Sequence, residues 1–180
     1  MFDFLPTAID GCYEIRTRIL TDHRGTFTKL FHSGTFKDKG LIYTFSNADY
    51  LICPEDAISG LHFHPEDEKY ALLVSCINGS VLKVVVDLRR HSKTYKKVFS
   101  VKLDSSSGNT LYIPEGVAHG FLSEASDSAL ITLASHPTTV ATRKGIHWRS
   151  IDFDWPVSSP VISEEDQKLM PLTEYENQFR

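Results

Sequence analysis

The feature that most constrains the fold of this chain is a succession of short strand-like runs separated by turn residues. Runs of this kind at such spacing are typical of an all-β sandwich or barrel. A sheet closed on itself, or two sheets stacked as a jelly roll, covers so many strand edges. The predicted strands are Tyr13–Leu20, Phe27–Phe31, Leu41–Asn47, Tyr70–Ile77, Val81–Leu88, Lys96–Lys102, Thr110–Ile113, Gly120–Leu122 and Ala129–Ser135.

Two of these strands flank the dipeptide Asn78-Gly79. Asn and Gly tolerate the positive φ angles of a type I′ turn, which is the tightest hairpin connection. The pattern therefore predicts that Tyr70–Ile77 pairs directly with Val81–Leu88.

Helical patterns are confined to two short segments, near Gly34–Lys39 and near Ser163–Met170. The second begins with Ser-Glu-Glu-Asp, which offers an N-cap followed by acidic residues in the first turn. Segments this short cannot organise a core, so we expect them at the periphery of the barrel. No linker-like composition interrupts the chain, which predicts one domain over residues 1–180.

The composition excludes several classes of protein. The formal charge is −4 and the basic residues are dispersed, so we expect no nucleic acid as a partner. The three cysteines, Cys12, Cys53 and Cys76, form no CxxC pair and favour a reducing compartment. No apolar run reaches the roughly 18 residues of a membrane helix. The sequence thus predicts a cytoplasmic protein that does not enter a membrane.

Histidines mark the candidate site. Ser59-Gly-Leu-His-Phe-His-Pro65 and Gly108-Asn-Thr-Leu-Tyr-Ile-Pro-Glu-Gly-Val-Ala-His-Gly-Phe121 each bring histidine to the end of an apolar run beside turn formers. Small β-barrels point side chains from such places into their mouths. A neutral imidazole there can take a carbon-bound proton near pH 7 or bind a divalent metal. Both chemistries are open at this point.

The metal alternative has a complete candidate ligand set. His62 and His64 alternate along a strand and leave the same face, as a metal site requires. The candidate ligands are His62, His64, Glu68 and His119. Zn, Ni, Fe and Mn are not distinguished by this set. The glycine spacing around the first histidine motif differs from that of metal-binding cupins, so we expect no cofactor and keep a divalent metal as the alternative.

Six pieces of the chain recur in a fixed order and spacing in one known family: Asp22-His-Arg-Gly-Thr-Phe27, Gly60-Leu-His62, Val84-Val-Val-Asp-Leu-Arg89 with Ser92-Lys-Thr-Tyr95, Ile113-Pro-Glu-Gly-Val-Ala-His-Gly-Phe121, Gly145-Ile-His-Trp148, and Asp154-Trp-Pro156 leading to Ser163-Glu-Glu-Asp166. Through them the chain resembles the dTDP-4-dehydrorhamnose 3,5-epimerases, which are cupin-fold homodimers. The resemblance extends over nearly the whole chain. It implies a double-stranded β-helix jelly roll with short peripheral helices.

The resemblance also implies roles. His62 is the expected general base, oriented by Asp166, and removes the acidic proton beside the ketone of a nucleotide-diphosphate sugar. Arg24 is expected to meet the diphosphate. The full set of expected substrate-binding residues is Arg24, Phe27, Asn47, Ser59, Lys83 and His119.

Four positions depart from the family pattern. Ser59 replaces an arginine, Leu72 replaces the lysine thought to stabilise the enolate, Lys83 stands at a position that is usually acidic, and Thr132 replaces the catalytic tyrosine. A threonine hydroxyl is too weak an acid to replace a phenol. The remaining candidate proton donors are Tyr70, Tyr112 and His136.

The sequence therefore predicts an isomerase that carries out a single epimerisation, or a related isomerisation, on a 4-keto-6-deoxy or related nucleotide sugar. The expected setting is surface-polysaccharide or deoxysugar biosynthesis. The alternatives are a metal-dependent cupin enzyme and a sugar-binding homologue with impaired catalysis.

Overall fold

A computed structural model describes residues 2–64, 70–137 and 144–177, most of whose regular structure is β-strand. The prediction of an all-β cupin jelly roll with short helices is confirmed. The strands are β1 (Phe2–Pro6), β2 (Tyr13–Thr17), β3 (Ile19–Asp22), β4 (Gly25–Thr28), β5 (Asn47–Cys53), β6 (Ala57–Phe63), β7 (Leu72–Asn78), β8 (Ser80–Asp87), β9 (Val98–Asp104), β10 (Asn109–Ile113), β11 (Val117–Ser123), β12 (Ser128–Ala134), β13 (Lys144–Gly145) and β14 (Val161–Ile162). The helices are α1 (Ser33–Asp38), α2 (Glu164–Gln167) and α3 (Leu172–Asn177).

The strands form two large sheets and one hairpin. The first sheet has the order β1-β2-β10-β7-β12-β5, and the second has the order β13-β6-β11-β8-β9 with β14 added beside β6. Strands β3 and β4 pair only with each other. No helix among the described residues is long and apolar enough to cross a membrane.

The core lies between the two large sheets. Along β7, Leu72 and Val74 point into it, whereas Leu73 packs on the outer face of the first sheet. This alternation is the period of two that a pleated strand imposes. Val81 and Val85 of β8 meet the β7 side chains from the second sheet.

Both outer faces are covered. On the first sheet, Phe36 of α1 is fully buried and makes edge contacts with the rings of Phe4 and Phe31. On the second sheet, Phe63 packs against Tyr175 of α3 with ring centroids 5.1 Å apart. The short helices therefore close the sandwich from outside, as expected from their length.

The predicted hairpin between β7 and β8 is wrong. β7 pairs with β10 and β12, and β8 pairs with β9 and β11, so the two strands belong to different sheets. A type I′ turn needs positive φ at both central residues. Here Gly79 has φ +67° and Asn78 does not share that conformation. The turn instead carries the chain across the core, where both strands bury their inward side chains against each other.

Other differences concern strand boundaries. The predicted strand Leu41–Asn47 is wrong except for its last residue, because Leu41, Ile42 and Phe45 pack against the Phe36 cluster without sheet partners. The strand that follows is β5, an edge strand with Tyr50 77% exposed. Strand β6 was not predicted because glycine and histidine interrupt its apolar pattern. The run Tyr13–Leu20 is divided between β2 and β3.

Candidate active site

The site is built where β6 passes close to β11. His119 lies opposite His62, and Phe121 lies opposite Ser59, so the segment of β6 between the two pairs has one residue more than that of β11. A bulge of this kind re-aims side chains. Ser59 and His62 are three residues apart and would point to opposite faces of a regular strand, yet both line the same cavity.

Two glycines allow this close approach. A Cβ on Gly60 would lie 2.7 Å from the carbonyl oxygen of His119, and one on Gly120 would lie 2.7 Å from the carbonyl oxygen of Ser59. Gly60 also has a backbone φ of +116°, a conformation that residues other than glycine rarely adopt. The Gly60-Leu-His62 and His119-Gly120 motifs are therefore needed for backbone packing as well as for their histidines.

His62 and Asp166 form a buried pair. Nε2 of His62 lies 2.7 Å from Oδ1 of Asp166, and the two residues are 6% and 4% exposed. The backbone N–H of Gly60 donates to Oδ2 of Asp166 at 2.8 Å. Asp166 is held in turn by α2, whose N-cap Ser163 accepts a hydrogen bond from its backbone N–H. Because Nε2 is engaged, Nδ1 is the ring nitrogen of His62 that can take a proton from a substrate.

His62 lines a cavity of about 260 Å³ between the two sheets. The second sheet contributes polar side chains to its wall and the first sheet contributes mostly apolar ones. Leu72 and Thr132, which the resemblance places at the positions of the family's lysine and tyrosine, both line the cavity. The wall is lined by Asp49, Leu51, Ser59, His62, His64, Tyr70, Leu72, Val74, Lys83, His119, Gly120, Phe121, Leu130, Thr132 and Ala134.

Lys83 is the buried cation of this wall. It is 3% exposed, and its Nζ lies 3.2 Å from Nδ1 of His119 and 5.8 Å from the ring centroid of Phe121. Among the described residues no carboxylate makes an ion pair with it. Removal of the amine from water lowers its pKa from 10.5 to about 7.

Not all expected substrate-binding residues meet at this cavity within one chain. Ser59, Lys83 and His119 line it. Arg24 and Phe27 line a separate surface pocket on the exposed β3–β4 hairpin, where Arg24 pairs with Asp22 at 2.6 Å. Asn47 begins β5, two residues before Asp49, and is not itself part of the wall.

The three candidate proton donors are also separated. Tyr70 lines the cavity and stacks on His64 with ring centroids 3.8 Å apart. Tyr112 packs on the outer face of the first sheet, where its hydroxyl accepts a hydrogen bond from the backbone N–H of Ile42, and burial raises its pKa to about 12. His136 is exposed and lies outside the wall. Tyr70 is the candidate that the geometry retains.

The candidate metal set is not assembled by the residues that the structure describes. Within them, no group of three or more His, Cys, Asp and Glu could hold a metal ion. His62 is bonded to Asp166, His64 stacks on Tyr70, and Nδ1 of His119 faces Lys83. Glu68 lies outside the described residues.

Sequence reasoning missed Asp49 and Phe121 as residues of the wall. Both belong to strands whose inward positions alternate, Asp49 with Leu51 and Phe121 with His119. The signal for Asp49 was the period of two in Asn47–Cys53, which is obscured because this edge strand has apolar residues on both faces.

A jelly roll with a buried histidine–aspartate pair at a cavity between its sheets defines a cupin-type sugar epimerase. Comparison with known proteins identifies the particular family. The family model described as dTDP-4-dehydrorhamnose 3,5-epimerase matches residues 6–174. The chain belongs to this family of isomerases, and the nucleotide-sugar epimerase predicted from the sequence is confirmed at that level.

Individual relatives support this family assignment. The chain is 35% identical to the dTDP-4-dehydrorhamnose 3,5-epimerase of Methanothermobacter thermautotrophicus, over 96% of either chain. The fold is similar to that of NovW, a 4-keto-6-deoxy sugar epimerase from the novobiocin cluster of Streptomyces spheroides, with TM-score 0.94, 30% identity and coverage of 99% and 92% of the two chains. It is also similar to ChmJ, a 3'-monoepimerase from Streptomyces bikiniensis in complex with dTDP-quinovose, with TM-score 0.91, 25% identity and coverage of 97% and 90%.

The buried lysine predicts a pH dependence of stability. The folded protein releases the Lys83 proton near pH 7, whereas the unfolded chain retains it up to about pH 10.5. The unfolded state thus binds more protons in this window, and the free energy of unfolding rises with pH. Lys83→Met should remove this rise, which amounts to about 1.4 kcal/mol per pH unit at most. Urea unfolding of the wild type and of Lys83→Met between pH 7 and 8.5 measures the rise. If the free energy of unfolding changed equally with pH in the two proteins, the burial of the amine would be contradicted.

Proposed function

We propose that this protein inverts one carbon next to the ketone of a 4-keto-6-deoxy dTDP-sugar, with His62 as the general base. The observation that carries the proposal is the 2.7 Å contact between Asp166 and His62, whose side chain lines the cavity. The family, and the activities of the similar proteins NovW and ChmJ, support the substrate class.

The chemistry requires a base of moderate strength and a fixed ring. A proton next to a ketone is acidic because the carbanion is delocalised onto the carbonyl oxygen. The Asp166 carboxylate holds the proton on Nε2, which leaves Nδ1 as the acceptor and stabilises the imidazolium that forms. This step needs neither redox chemistry nor a metal, so we propose that the enzyme acts without a cofactor.

Two wall residues limit the reaction to one face of the sugar. Thr132 and Leu72 stand where the family has its tyrosine and lysine, and neither side chain can deliver a proton near neutral pH. The 3'-monoepimerase ChmJ is a structural neighbour that inverts a single centre. The same two residues favour the second candidate, a sugar-binding homologue without turnover.

The remaining features fit a cytoplasmic enzyme of deoxysugar or surface-polysaccharide biosynthesis. Cys12, Cys53 and Cys76 are buried and free. Strands from both ends of the chain join the two sheets, which supports one epimerase domain over residues 1–180.

We also propose a homodimer in which the β3–β4 hairpin of one subunit reaches the cavity of the other. Phe27 and Leu20 on this hairpin are 59% and 47% exposed. Arg24 lies outside the cavity wall of its own chain. A second copy would bury the exposed rings and bring the guanidinium to the diphosphate.

Loss of the dyad should abolish proton exchange. In D2O, His62→Ala should slow deuterium wash-in to a 4-keto-6-deoxy dTDP-sugar by about 10³-fold or more, and Asp166→Asn by somewhat less. Mass spectrometry of the recovered sugar measures the rate. His147→Ala, which changes an imidazole outside the cavity wall, is the control. Exchange that persists in His62→Ala would remove this residue from the mechanism.

The missing tyrosine should restrict exchange to one carbon. We expect deuterium at C3 or at C5 but not at comparable rates at both, because only one face has a base. Thr132→Tyr combined with Leu72→Lys should raise the rate at the second carbon. NMR of the deuterated product assigns the position. Equal rates at both carbons in the wild-type enzyme would contradict the assignment, and binding without any exchange would favour the sugar-binding homologue.

Complementation between two impaired variants tests whether the β3–β4 hairpin of one subunit reaches the cavity of the other. His62→Ala and Arg24→Ala subunits should each be weakly active alone. In a mixed dimer, the hairpin of the His62→Ala subunit serves the intact cavity of the other, so random mixing should restore about a quarter of wild-type activity. Light scattering checks that the protein is a dimer. No gain on mixing would show that each hairpin serves its own chain or none.

A further inference from the structure

Three polar side chains of the cavity wall lie on three neighbouring strands of the second sheet. His62 is on β6, His119 is on β11 and Lys83 is on β8, in the strand order β6-β11-β8. His119 is opposite His62, and Phe121 is opposite Lys83. Two strand spacings of about 4.8 Å and an offset of two residues, about 7 Å, place the backbone positions of the base and of Lys83 about 12 Å from each other. The imidazole and the amine therefore approach a substrate from different sides of one wall.

The described residues of the facing wall include no lysine or arginine. Its inward residues from β7 and β12 are Leu72, Val74, Leu130, Thr132 and Ala134. Among the described residues of the cavity wall, Lys83 is the one lysine or arginine. An enolate formed in this cavity would have no other lysine or arginine of the described wall to face.

Burial of Lys83 has no structural explanation. The amine is 3% exposed and is held through Nδ1 of His119 rather than through a carboxylate of the described residues. A buried amine without a counter-ion destabilises a fold, and an apolar side chain of the same length would pack better. Groups of this kind are concentrated at functional sites.

We propose that Lys83 is a catalytic residue that donates its proton to the ketone oxygen as His62 removes the proton from the adjacent carbon. The inference rests on the proposed function. The group that acts on the ketone oxygen would then belong to the second sheet. The resemblance places the family's lysine on the first sheet, at the position of Leu72.

The transfer balances without any further reactant. Nδ1 of His62 takes the proton, the C–H electron pair becomes the new C=C bond, and the carbonyl π pair moves to oxygen. That oxygen takes a proton from the Lys83 ammonium, which leaves a neutral enol and a neutral amine. In the return step the amine takes the proton back from the O–H group and the ketone re-forms. The carbon takes a proton from water, and His62 returns its own proton to water.

The surroundings suit both forms of the amine. With the pKa of Lys83 lowered to about 7 by burial, the ammonium can donate and the amine can accept near neutral pH. Nδ1 of His119 accepts from Nζ and keeps it in the wall, which makes His119 a positioning residue. The face of Phe121 lies beside the charge.

The test uses Lys83→Met, which removes the amine and keeps an unbranched side chain one atom shorter. Deuterium wash-in to dTDP-4-keto-6-deoxyglucose should fall about 10²–10³-fold, the usual effect of losing one group that stabilises an oxyanion. The dissociation constant of dTDP should change less than about threefold, because the amine acts on the sugar ketone. The melting temperature should be equal or higher, which excludes misfolding. Lys97→Met, at an exposed lysine, is the matched control.

A second variant tests the amine itself. Lys83→Ala should regain activity when ethylamine is added and should not respond to ethanol. Rescue would support proton donation, and its absence in a folded variant that binds dTDP would overturn it.

Other outcomes separate the two hypotheses. If the wild-type protein exchanges no 4-keto-6-deoxy dTDP-sugar, the proposed function fails and the inference fails with it. If the wild type exchanges and Lys83→Met stays within tenfold, only the inference is overturned. A parallel loss of dTDP binding would make Lys83 a binding residue, and a borohydride-reduced sugar adduct on Lys83 would show an imine; either result overturns the proton-donor role.

Discussion

The rest of the site depends on the two hydrogen bonds accepted by the Asp166 carboxylate. One holds Nε2 of His62 and the other holds the backbone N–H of Gly60 in the bulge of β6. The base and the backbone irregularity that aims it are therefore fixed by the same side chain. Loss of the carboxylate would leave a buried ring nitrogen and a buried N–H without this partner, which is costly inside a protein. The dyad is a structural element as well as a chemical one.

The two sheets contribute different kinds of side chain to the cavity. The second sheet carries Ser59, His62, His119 and Lys83, and its β6–β11 bulge sets the directions of Ser59 and His62. The first sheet supplies a mostly apolar wall through alternate residues of β7 and β12. Substitutions on the first sheet, such as those at positions 72 and 132, can change the reaction without disturbing the dyad, since His62 belongs to the second sheet and Asp166 to α2.

A buried lysine shows how stability and activity oppose each other here. The interior position of Lys83 lowers the pKa of its amine, and the same desolvation makes the folded state less stable where the unfolded chain is protonated. Proteins accept such costs at sites where an apolar residue would fold better but could not act on a substrate.

The sequence by itself determined the all-β class, the peripheral helices, and the motifs that hold His62 and Asp166, because strand periodicity and capping are local properties. Leu72 and Thr132, which the resemblance assigns to the site, line the cavity. Tertiary structure decided which sheet each strand joins. A period of two tells which side chains share a face but not which strand lies beside it, so β7 and β8 were paired wrongly. For the same reason, only the tertiary structure shows that Tyr112 packs outside the cavity and that Arg24 lies on an exposed hairpin. It also brings Lys83 next to His119 on a neighbouring strand.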